Sequence, residues 1–395
     1  MPTELEAVFA FVAAFATAAL LTPLTKVLAF RTGAVDQPRD RGLSEHTTPL
    51  LGGLAILAAV LVAGWVWLPH TQRWWDVMGA CVLITVVGVA DDRWSLHPLI
   101  KLGGQVLAAW ICVQGGVVVG NVTIPFVGAF DLGSWGQVLT IVGLVAVMNI
   151  VNFSDGIDGL AAGVCGIVAV AFAIIAFDLG RNTAGVLAAI TAGAALGFLI
   201  YNFHPASVFM GDAGSNLLGL LMGVVTVEAA VKTQAVASLI IPLALLAVPF
   251  LDTTFVVLKR LKYHRPVYEA DAWHFHHRLV AIGFSQRRTV LYLYAWTLLL
   301  AGFALALRFI PYTHYVGNDK EIQWGWMLVL IGVAIVVVLA SVYLVYVLEI
   351  LKFRRLSALR IRRDRPDATA ADIDAAAVEA LETGEFTAVS REDPQ

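Results

Sequence analysis

Several polar stretches interrupt an otherwise apolar sequence, and each contains residue types that can bind a phosphate or a cation. The densest covers residues 148–163 and places Asn152, Asp155 and Asp158 between two apolar segments. Carboxylates beside a membrane-spanning segment are costly unless a cation, a substrate or water compensates them. The stretch is therefore a candidate site, and the alternative is a polar turn that only reverses the chain.

Two adjacent carboxylates, Asp91 and Asp92, end another apolar segment, and Lys101 follows at the start of the next one. Neighbouring carboxylates repel each other, so a cation or a lysine must compensate them if both are charged. Lys101 could also neutralise a phosphate. The alternatives are a polar helix end for the two aspartates and a lysine that reaches the membrane surface.

A third motif is Gly-Asp-Ala-Gly-Ser, in which Asp212 lies just before a predicted helix. Gly211, Gly214 and Ser215 accompany it, and a helix N-terminus with nearby glycines can approach a phosphate. With the other four aspartates, Asp212 forms an all-oxygen set suited to Mg²⁺. The alternative is that Asp212 only caps the helix.

Histidines occur in two further polar loops. His46 lies in the first loop, residues 36–53, and is a candidate for substrate binding. The later loop contains His274, His276, His277 and Arg278. These histidines could bind a metal, relay protons or bind phosphate, and a solvated basic loop is the alternative. The adjacent arginine and the oxygen ligands elsewhere favour phosphate binding over zinc.

The composition identifies the elements that must position these residues. The chain has 395 residues, of which 59% are hydrophobic and 14% charged, and its mean hydropathy is +0.80. These values exclude an ordinary soluble domain and predict an all-α polytopic membrane protein. At about 20 residues per crossing we expect about eleven transmembrane helices. They are predicted near residues 5–30, 50–68, 77–90, 99–119, 135–152, 157–177, 184–202, 213–231, 235–258, 289–310 and 324–350.

The basic residues predict the orientation of these helices. Most of the 26 Lys and Arg residues fall in the odd-numbered loops and near residues 352–365. The positive-inside rule then places the N-terminus outside and the C-terminus in the cytoplasm. All the polar motifs consequently face the cytoplasm. We predict a transmembrane catalytic domain over residues 1–351 and a disordered cytoplasmic tail, basic and then acidic, over residues 352–395.

The cysteines and one loop have structural interpretations, and the absence of common motifs limits the possible classes of function. Cys81, Cys112 and Cys165 lie in apolar segments, as packing residues do. Alternating residues with turn signals predict a small hairpin over residues 122–133. A Walker A loop, a dinucleotide fingerprint, an HExxH motif and a Gly-x-Ser-x-Gly motif are absent from the sequence. Their absence argues against the common nucleotide-binding and hydrolase classes.

The ordered motifs resemble those of the polyprenyl-phosphate N-acetylhexosamine-1-phosphate transferases, the glycosyltransferase family 4. The motifs are Asp-x-Pro with His-x-x-Pro-x-x-Gly-Gly, Asp91-Asp92, Asn-x-x-Asn-x-x-Asp-Gly-x-Asp-Gly-Leu-Ala-x-Gly, Phe-Met-Gly-Asp-x-Gly-Ser and His-x-His-His-Arg-Leu. The resemblance implies a Mg²⁺-dependent enzyme, with Mn²⁺ as a substitute. Such an enzyme moves a sugar 1-phosphate from a UDP-sugar to a polyprenyl phosphate and releases UMP.

The resemblance also implies roles for individual residues. Asp212 resembles the metal ligand, Asp91 and Asp92 the catalytic pair, and Lys101 the active-site lysine. Asn152, Asp155 and Asp158 match the polar loop of the family, and the interrupted histidine run is similar to the branch that uses UDP-GlcNAc. The expected partners are a UDP-sugar, an undecaprenyl or decaprenyl phosphate and membrane lipids. Nucleic acid is not expected as a partner. The protein could form a homodimer.

The resemblance places the protein in the inner (plasma) membrane of a bacterium, at the first membrane step of a cell-envelope polysaccharide pathway. Another UDP-N-acetylhexosamine or UDP-MurNAc-pentapeptide is the alternative donor. An ion-coupled transporter is the competing class, but it requires charges near the middle of the membrane. In this sequence the charged clusters lie at one predicted surface.

Overall fold

The structure is a computed structural model that describes residues 2–36, 47–124, 128–231, 285–311, 313–316 and 319–346, together with residue 369. Most of these residues are helical. The chain divides into two compact units, one of residues 1–250 with 297–309 and the other of residues 251–296 with 310–395.

Eight α-helices, followed by a short π-helical segment over Val227–Val231, run through the described part of the first unit. They are α1 (Glu4–Thr32), α2 (Gly52–Trp67), α3 (Gln72–Trp94), α4 (Pro98–Gln114), α5 (Trp135–Ser154), α6 (Leu160–Asp178), α7 (Asn182–Asn202) and α8 (Gly211–Thr226). Two antiparallel pairs connect some of them, namely β1 (Val35–Asp36) with β2 (Thr48–Pro49) and β3 (Asn121–Ile124) with β4 (Gly128–Asp131).

The second unit contains part of one described helix, the whole of another and a hairpin. Helix α9 (Gln286–Phe309) begins in this unit and ends in the first one. Strands β5 (Thr313–Val316) and β6 (Asp319–Ile322) pair antiparallel and precede α10 (Trp324–Tyr346). Within this unit the Trp296 indole N–H donates to Ser341 Oγ at 2.9 Å, which links α9 to α10.

Seven of the described helices are long and apolar enough to cross a membrane. They are α1, α3, α5, α6, α7, α9 and α10, and the shorter apolar helices are α2 and α4. Helices α6 and α7 are the most buried of the seven, whereas α10 is mostly exposed and apolar. Exposed apolar side chains are favourable when the solvent is lipid, so the structure is that of a multi-pass membrane protein.

Close packing of small residues joins the first helix to the bundle. Thr3 begins α1 with a capping box, because its hydroxyl accepts from the Glu6 N–H and its own N–H donates to the Glu6 carboxylate. A buried stripe of Ala10, Ala14 and Ala18 follows along one face. On α7, a Cβ added at Gly193 would overlap the backbone of α1. Small residues at both positions allow the two helix backbones to approach closely, as is common in membranes.

Ten of the predicted spans coincide with described helices, whereas the span predicted at 235–258 lies outside the described residues. Several predicted ends were wrong. Helix α3 begins at Gln72 rather than at 77, because Thr71 accepts from the Trp74 N–H at 3.4 Å and starts the helix before its apolar run. Helix α6 begins at Leu160 rather than at 157, after the positive-φ residue Gly159.

The predicted all-α class is confirmed in that most described residues are helical, and the strands form only short pairs. The hairpin expected over residues 122–133 is present as β3 and β4, in which Asn121 pairs with Asp131. The β1–β2 and β5–β6 pairs were not predicted, because pairs this short lack an extended alternating pattern. The predicted tail at 352–395 lies outside the described residues except for residue 369, and the orientation of the termini stays a prediction.

Candidate active site

Backbone hydrogen bonds join the start of α2 to the start of α8. The Gly52 and Gly53 N–H groups donate to the carbonyls of Phe209 and Met210, each at 3.0 Å, and the Phe209 N–H donates to the Pro49 carbonyl at 2.8 Å. These bonds satisfy polar backbone groups that would be costly to bury unpaired. The polar stretches that precede α2 and α8 are thereby held at one end of the bundle.

Lys101 lies at the centre of the candidate site. From the first turn of α4 its ammonium forms an ion pair with Asp212 in α8 and lies 3.3 Å from Asp91 Oδ2 in α3. It also donates to Asn152 Oδ1 in α5 at 3.3 Å. The three charged side chains are between 16% and 26% exposed, so these contacts are only partly screened by solvent. One lysine thus connects three polar stretches that are far apart in sequence.

Asp92 binds the N-terminus of α8. Its carboxylate accepts from the backbone N–H groups of Asp212 at 2.7 Å and Ala213 at 3.2 Å. The first N–H groups of a helix have no partner within the helix and favour a negative charge. Gly211 has φ +66° and lies against Asp92, where a Cβ would overlap the carboxylate. Glycine at 211 therefore permits this close approach.

The structure corrects two expectations about Asp212. The residue lies in the first turn of α8 rather than before the helix, and the N-cap is Met210, which makes no side-chain cap. The alternative that Asp212 only caps α8 is therefore wrong. Its Oδ1 accepts from Asn152 Nδ2 at 2.7 Å, and the same Nδ2 donates to Ser215 Oγ at 2.8 Å. The carboxylate of Asp212 is thus oriented by an amide and a lysine.

Asp155 follows the end of α5, and its carboxylate receives no hydrogen bond from the described residues. Burial raises the pKa of Asp155 well above its usual range, and the neighbouring charges of Asp212, Asp92 and Asp158 raise it further. Low polarity and nearby like charges both disfavour the ionised form. The environment of Asp155 therefore favours the protonated form of its carboxyl.

Asp158 has a different environment from the other site carboxylates. Its Oδ2 accepts from the backbone N–H of Ala206 at 2.9 Å and lies 2.7 Å from His204 Nδ1. Next to it, the Gly159 N–H donates to Asn202 Oδ1 at 3.1 Å. The described contacts therefore attach Asp158 to the segment between α7 and α8 rather than to Lys101.

The donor set is compatible with Mg²⁺. Asp91, Asp92, Asp155 and Asp212 form the acidic cluster, and among the described residues only Lys101 contributes a positive charge to it. Unpaired buried charges are costly, so a divalent cation would compensate the excess negative charge. In the described part of the chain, no three or more His, Cys, Asp or Glu side chains are arranged so that they could hold one metal ion together. Mg²⁺ needs fewer, because it takes one or two carboxylates and keeps water and substrate phosphates.

The described structure thus brings together Asp91, Asp92, Lys101, Asn152, Asp155, Asp212 and Ser215. Gly214 packs against Gly53 of α2. The predicted residues His46, His274, His276, His277 and Arg278 lie outside the described residues. The sequence gives no motif for four further polar residues of this region, because each is a single polar residue in or beside an apolar segment: Gln105, Asn202, His204 and Asn216.

Comparison with known proteins identifies the family of the chain. The family model described as glycosyl transferase family 4 matches residues 74–230, which contain the acidic cluster and Lys101. The chain is 36% identical over 292 residues to a probable undecaprenyl-phosphate N-acetylglucosaminyl 1-phosphate transferase of Bacillus subtilis (strain 168). That match covers 73% of this chain and 81% of the relative.

Two further relatives are similar over most of their length. The decaprenyl-phosphate N-acetylglucosaminephosphotransferase of Mycolicibacterium smegmatis is 37% identical over 359 residues, 81% of this chain and 85% of the relative. A phospho-N-acetylmuramoyl-pentapeptide-transferase of Moorella thermoacetica is 34% identical over 301 residues, 71% of this chain and 91% of the relative. These matches confirm the predicted family, and the chain belongs to glycosyl transferase family 4.

Proposed function

We propose that the protein transfers GlcNAc-1-phosphate from UDP-GlcNAc to a polyprenyl phosphate and releases UMP. The observation that carries this proposal is the contact of Lys101 with Asp91, Asn152 and Asp212 from three other helices. Relatives whose names specify this sugar phosphate and a polyprenyl acceptor support it. Both substrates are anionic, so a site that combines a lysine with a cation-binding acidic cluster suits them.

The reaction exchanges one phosphorus–oxygen bond for another. A phosphate oxygen of the polyprenyl phosphate attacks the β-phosphorus of UDP-GlcNAc, and the bond from that phosphorus to the bridging oxygen breaks. UMP leaves with the bridging oxygen, and the product is polyprenyl-diphosphate-GlcNAc. Lys101 would neutralise charge that develops on the phosphates, while Asn152, which donates to both Asp212 and Ser215, holds Asp212 in position. Positioning and charge compensation are the main demands of phosphoryl transfer.

The carboxylates take separate roles in this proposal. Asp212 would hold Mg²⁺, with Mn²⁺ as a substitute, and this ion would neutralise the diphosphate of the donor. Asp92 fixes the N-terminus of α8, and Asp91 orients Lys101. Asp155 would exchange a proton with the reacting phosphates, because a carboxyl with a raised pKa works closer to neutral pH. Asp158 would hold the segment between α7 and α8 in position, because it accepts from the Ala206 N–H.

The membrane setting follows from the lipid acceptor. We propose that the site faces the cytoplasm from the inner membrane of a bacterium, as the basic loops predict. The product would serve as the first lipid-linked sugar of a cell-envelope polysaccharide. The histidine loop with His274, His276, His277 and Arg278, together with His46, would contact the donor. A homodimer stays a prediction.

The test is a donor panel with the purified protein. UDP-GlcNAc, UDP-GalNAc and UDP-MurNAc-pentapeptide are each supplied with undecaprenyl phosphate and Mg²⁺, and UMP release and the lipid product are measured. We expect product from UDP-GlcNAc and none from the pentapeptide donor, whose lactyl-peptide is too bulky for a small-sugar pocket. Asp212→Asn should lose activity while staying folded, and chelator should abolish activity in the parent enzyme.

Other outcomes would contradict parts of the proposal. Turnover of the pentapeptide donor alone would show that the sugar assignment is wrong, although the reaction type would stand. Full activity of Asp212→Asn, or activity in excess chelator, would show that Asp212 does not hold a catalytic metal ion. If no donor released UMP and the protein instead moved an ion across vesicles, the transporter class would replace the transferase.

A further inference from the structure

A second layer of polar side chains lies one helical turn away from the site residues, on the same three helices. Gln105 follows Lys101 by one turn of α4, and Asn216 follows Asp212 by one turn of α8. On α5, Asn149 precedes Asn152 by about one turn. Residues three or four positions apart lie on the same helix face. Each of these three helices therefore presents an amide one turn deeper than its site residue.

The three amides bond to one another across the helices. Gln105 Nε2 donates to Asn216 Oδ1 at 2.7 Å and to Asn149 Oδ1 at 3.4 Å, and Gln105 Oε1 accepts from Asn149 Nδ2 at 2.8 Å. Asn216 Nδ2 then donates to the backbone carbonyl of Asp212 at 2.8 Å. The network thus ends on the backbone of a site residue.

Burial makes the loss of any hydrogen bond in this network costly. Gln105 and Asn216 are each 1% exposed, and Asn149 is partly buried. A buried amide that loses its partner keeps the full cost of desolvation. A sliding or rotation of α4 against α5 or α8 would break these bonds, so a fully bonded network favours one register of the helices.

We propose that Gln105, Asn149 and Asn216, called the amide triad, are positioning residues. They fix the register of α4, α5 and α8 so that Lys101, Asn152 and Asp212 meet. None of the three makes a described contact with the side-chain polar atoms of those site residues. The amide triad thus acts through the placement of helices, and its kinetic consequences rest on the proposed function.

The first experiment replaces Gln105 by methionine, which keeps length and removes the amide. The matched control is Gln114→Met, the same change at an exposed position of α4. A small misplacement of reacting groups can lower a rate by about 10²-fold, and we expect a loss of kcat of that order in Gln105→Met. The KM for UDP-GlcNAc should change little, because the amide triad lies one helical turn away from the residues proposed to meet the substrates. The control should keep both constants.

A length exchange tests the contact itself. Gln105→Asn shortens the side chain and should lower kcat, whereas adding Asn149→Gln restores the combined length of the bonded pair and should recover much of the activity. A general role in stability would lower the yield of folded enzyme in proportion to activity. Equal kcat per folded molecule in the parent and Gln105→Met, or no recovery in the double variant, would overturn the proposal.

A second readout does not depend on activity. In a background with Cys81→Ala, Cys112→Ala and Cys165→Ala, the changes Lys101→Cys and Asp212→Cys place two thiols across the α4–α8 contact. Their rate of disulfide formation should fall severalfold when Gln105→Met is added and should be unchanged by Gln114→Met. An unchanged rate of disulfide formation with Gln105→Met would refute the positioning role, whether or not the parent enzyme is active. A parent enzyme that transferred no sugar phosphate would refute only the proposed function.

Discussion

Replacement of Lys101 by methionine tests whether the acidic cluster depends on one ammonium. The Nζ atom lies 3.3 Å from Asp91 Oδ2 and forms an ion pair with Asp212, and all three side chains are less than a third exposed. Removing one member of a buried ion pair leaves an uncompensated charge and costs about 3–5 kcal/mol. Since proteins are stable by roughly 5–15 kcal/mol, Lys101→Met should remain folded with a much smaller margin.

A double-mutant cycle with Asp212→Asn isolates the pair. With both charges removed, no carboxylate at 212 needs compensation, so the double variant should be more stable than the sum of the single changes predicts. For groups in contact we expect a coupling of about 1–3 kcal/mol. The free energy of unfolding would be measured by denaturation in mixed micelles with chelator present, so that no metal replaces the lysine.

Lys26→Met in α1 is the control, because no ion pair of Lys26 occurs among the described contacts, and it should have little effect. If Lys101→Met were no more destabilising than Lys26→Met, the acidic cluster would not depend on the Lys101 ammonium. Strict additivity of Lys101→Met and Asp212→Asn would refute the ion pair in particular. Activity should be lost in every variant that lacks Lys101, including the more stable double variant, because catalysis needs the charge itself.

Three further predictions concern Asp155, Gly211 and the topology. The pKa of Asp155 is raised in the folded protein. The contribution of this carboxyl to stability is therefore fully present below the pKa that Asp155 has in the unfolded chain, and it is lost as pH rises through the pKa that Asp155 has in the folded protein. Asp155→Asn should therefore raise the thermal midpoint more at about pH 8 than at about pH 5, and an equal effect would contradict the shift. Gly211→Ala should cost more than about 1 kcal/mol, because φ is +66° and a Cβ would overlap Asp92. Gly103→Ala, in open space within α4, should be neutral or stabilising in the same unfolding assay. In a cysteine-free background, single cysteines at Ser207 and Ser285 should be shielded from an impermeant reagent in intact cells, and one at Ser134 should react. Labelling at 207 or 285 without permeabilisation would split the proposed site across the membrane and refute it.

The hairpin and the wrong helix ends show what a sequence pattern can locate. Alternating residues with turn signals predicted the hairpin over residues 122–133, which is present as β3 and β4. Hydropathy placed α3 at its apolar run and missed the first turn, which Thr71 starts with a hydroxyl. Apolar runs report where a chain can enter lipid, whereas caps report where a helix begins.

The sequence alone determined the membrane class, the approximate spans and the family, because these depend on run length, composition and motifs that are local in the chain. Only the tertiary structure decided which polar residues meet. It attached Asp158 to His204 and Ala206, placed Asp212 inside α8 with Met210 as N-cap, and brought Gln105 onto Asn149 and Asn216. Such pairings depend on the rotation and depth of helices far apart in sequence, which are fixed by close packing and by the need of buried polar groups for partners.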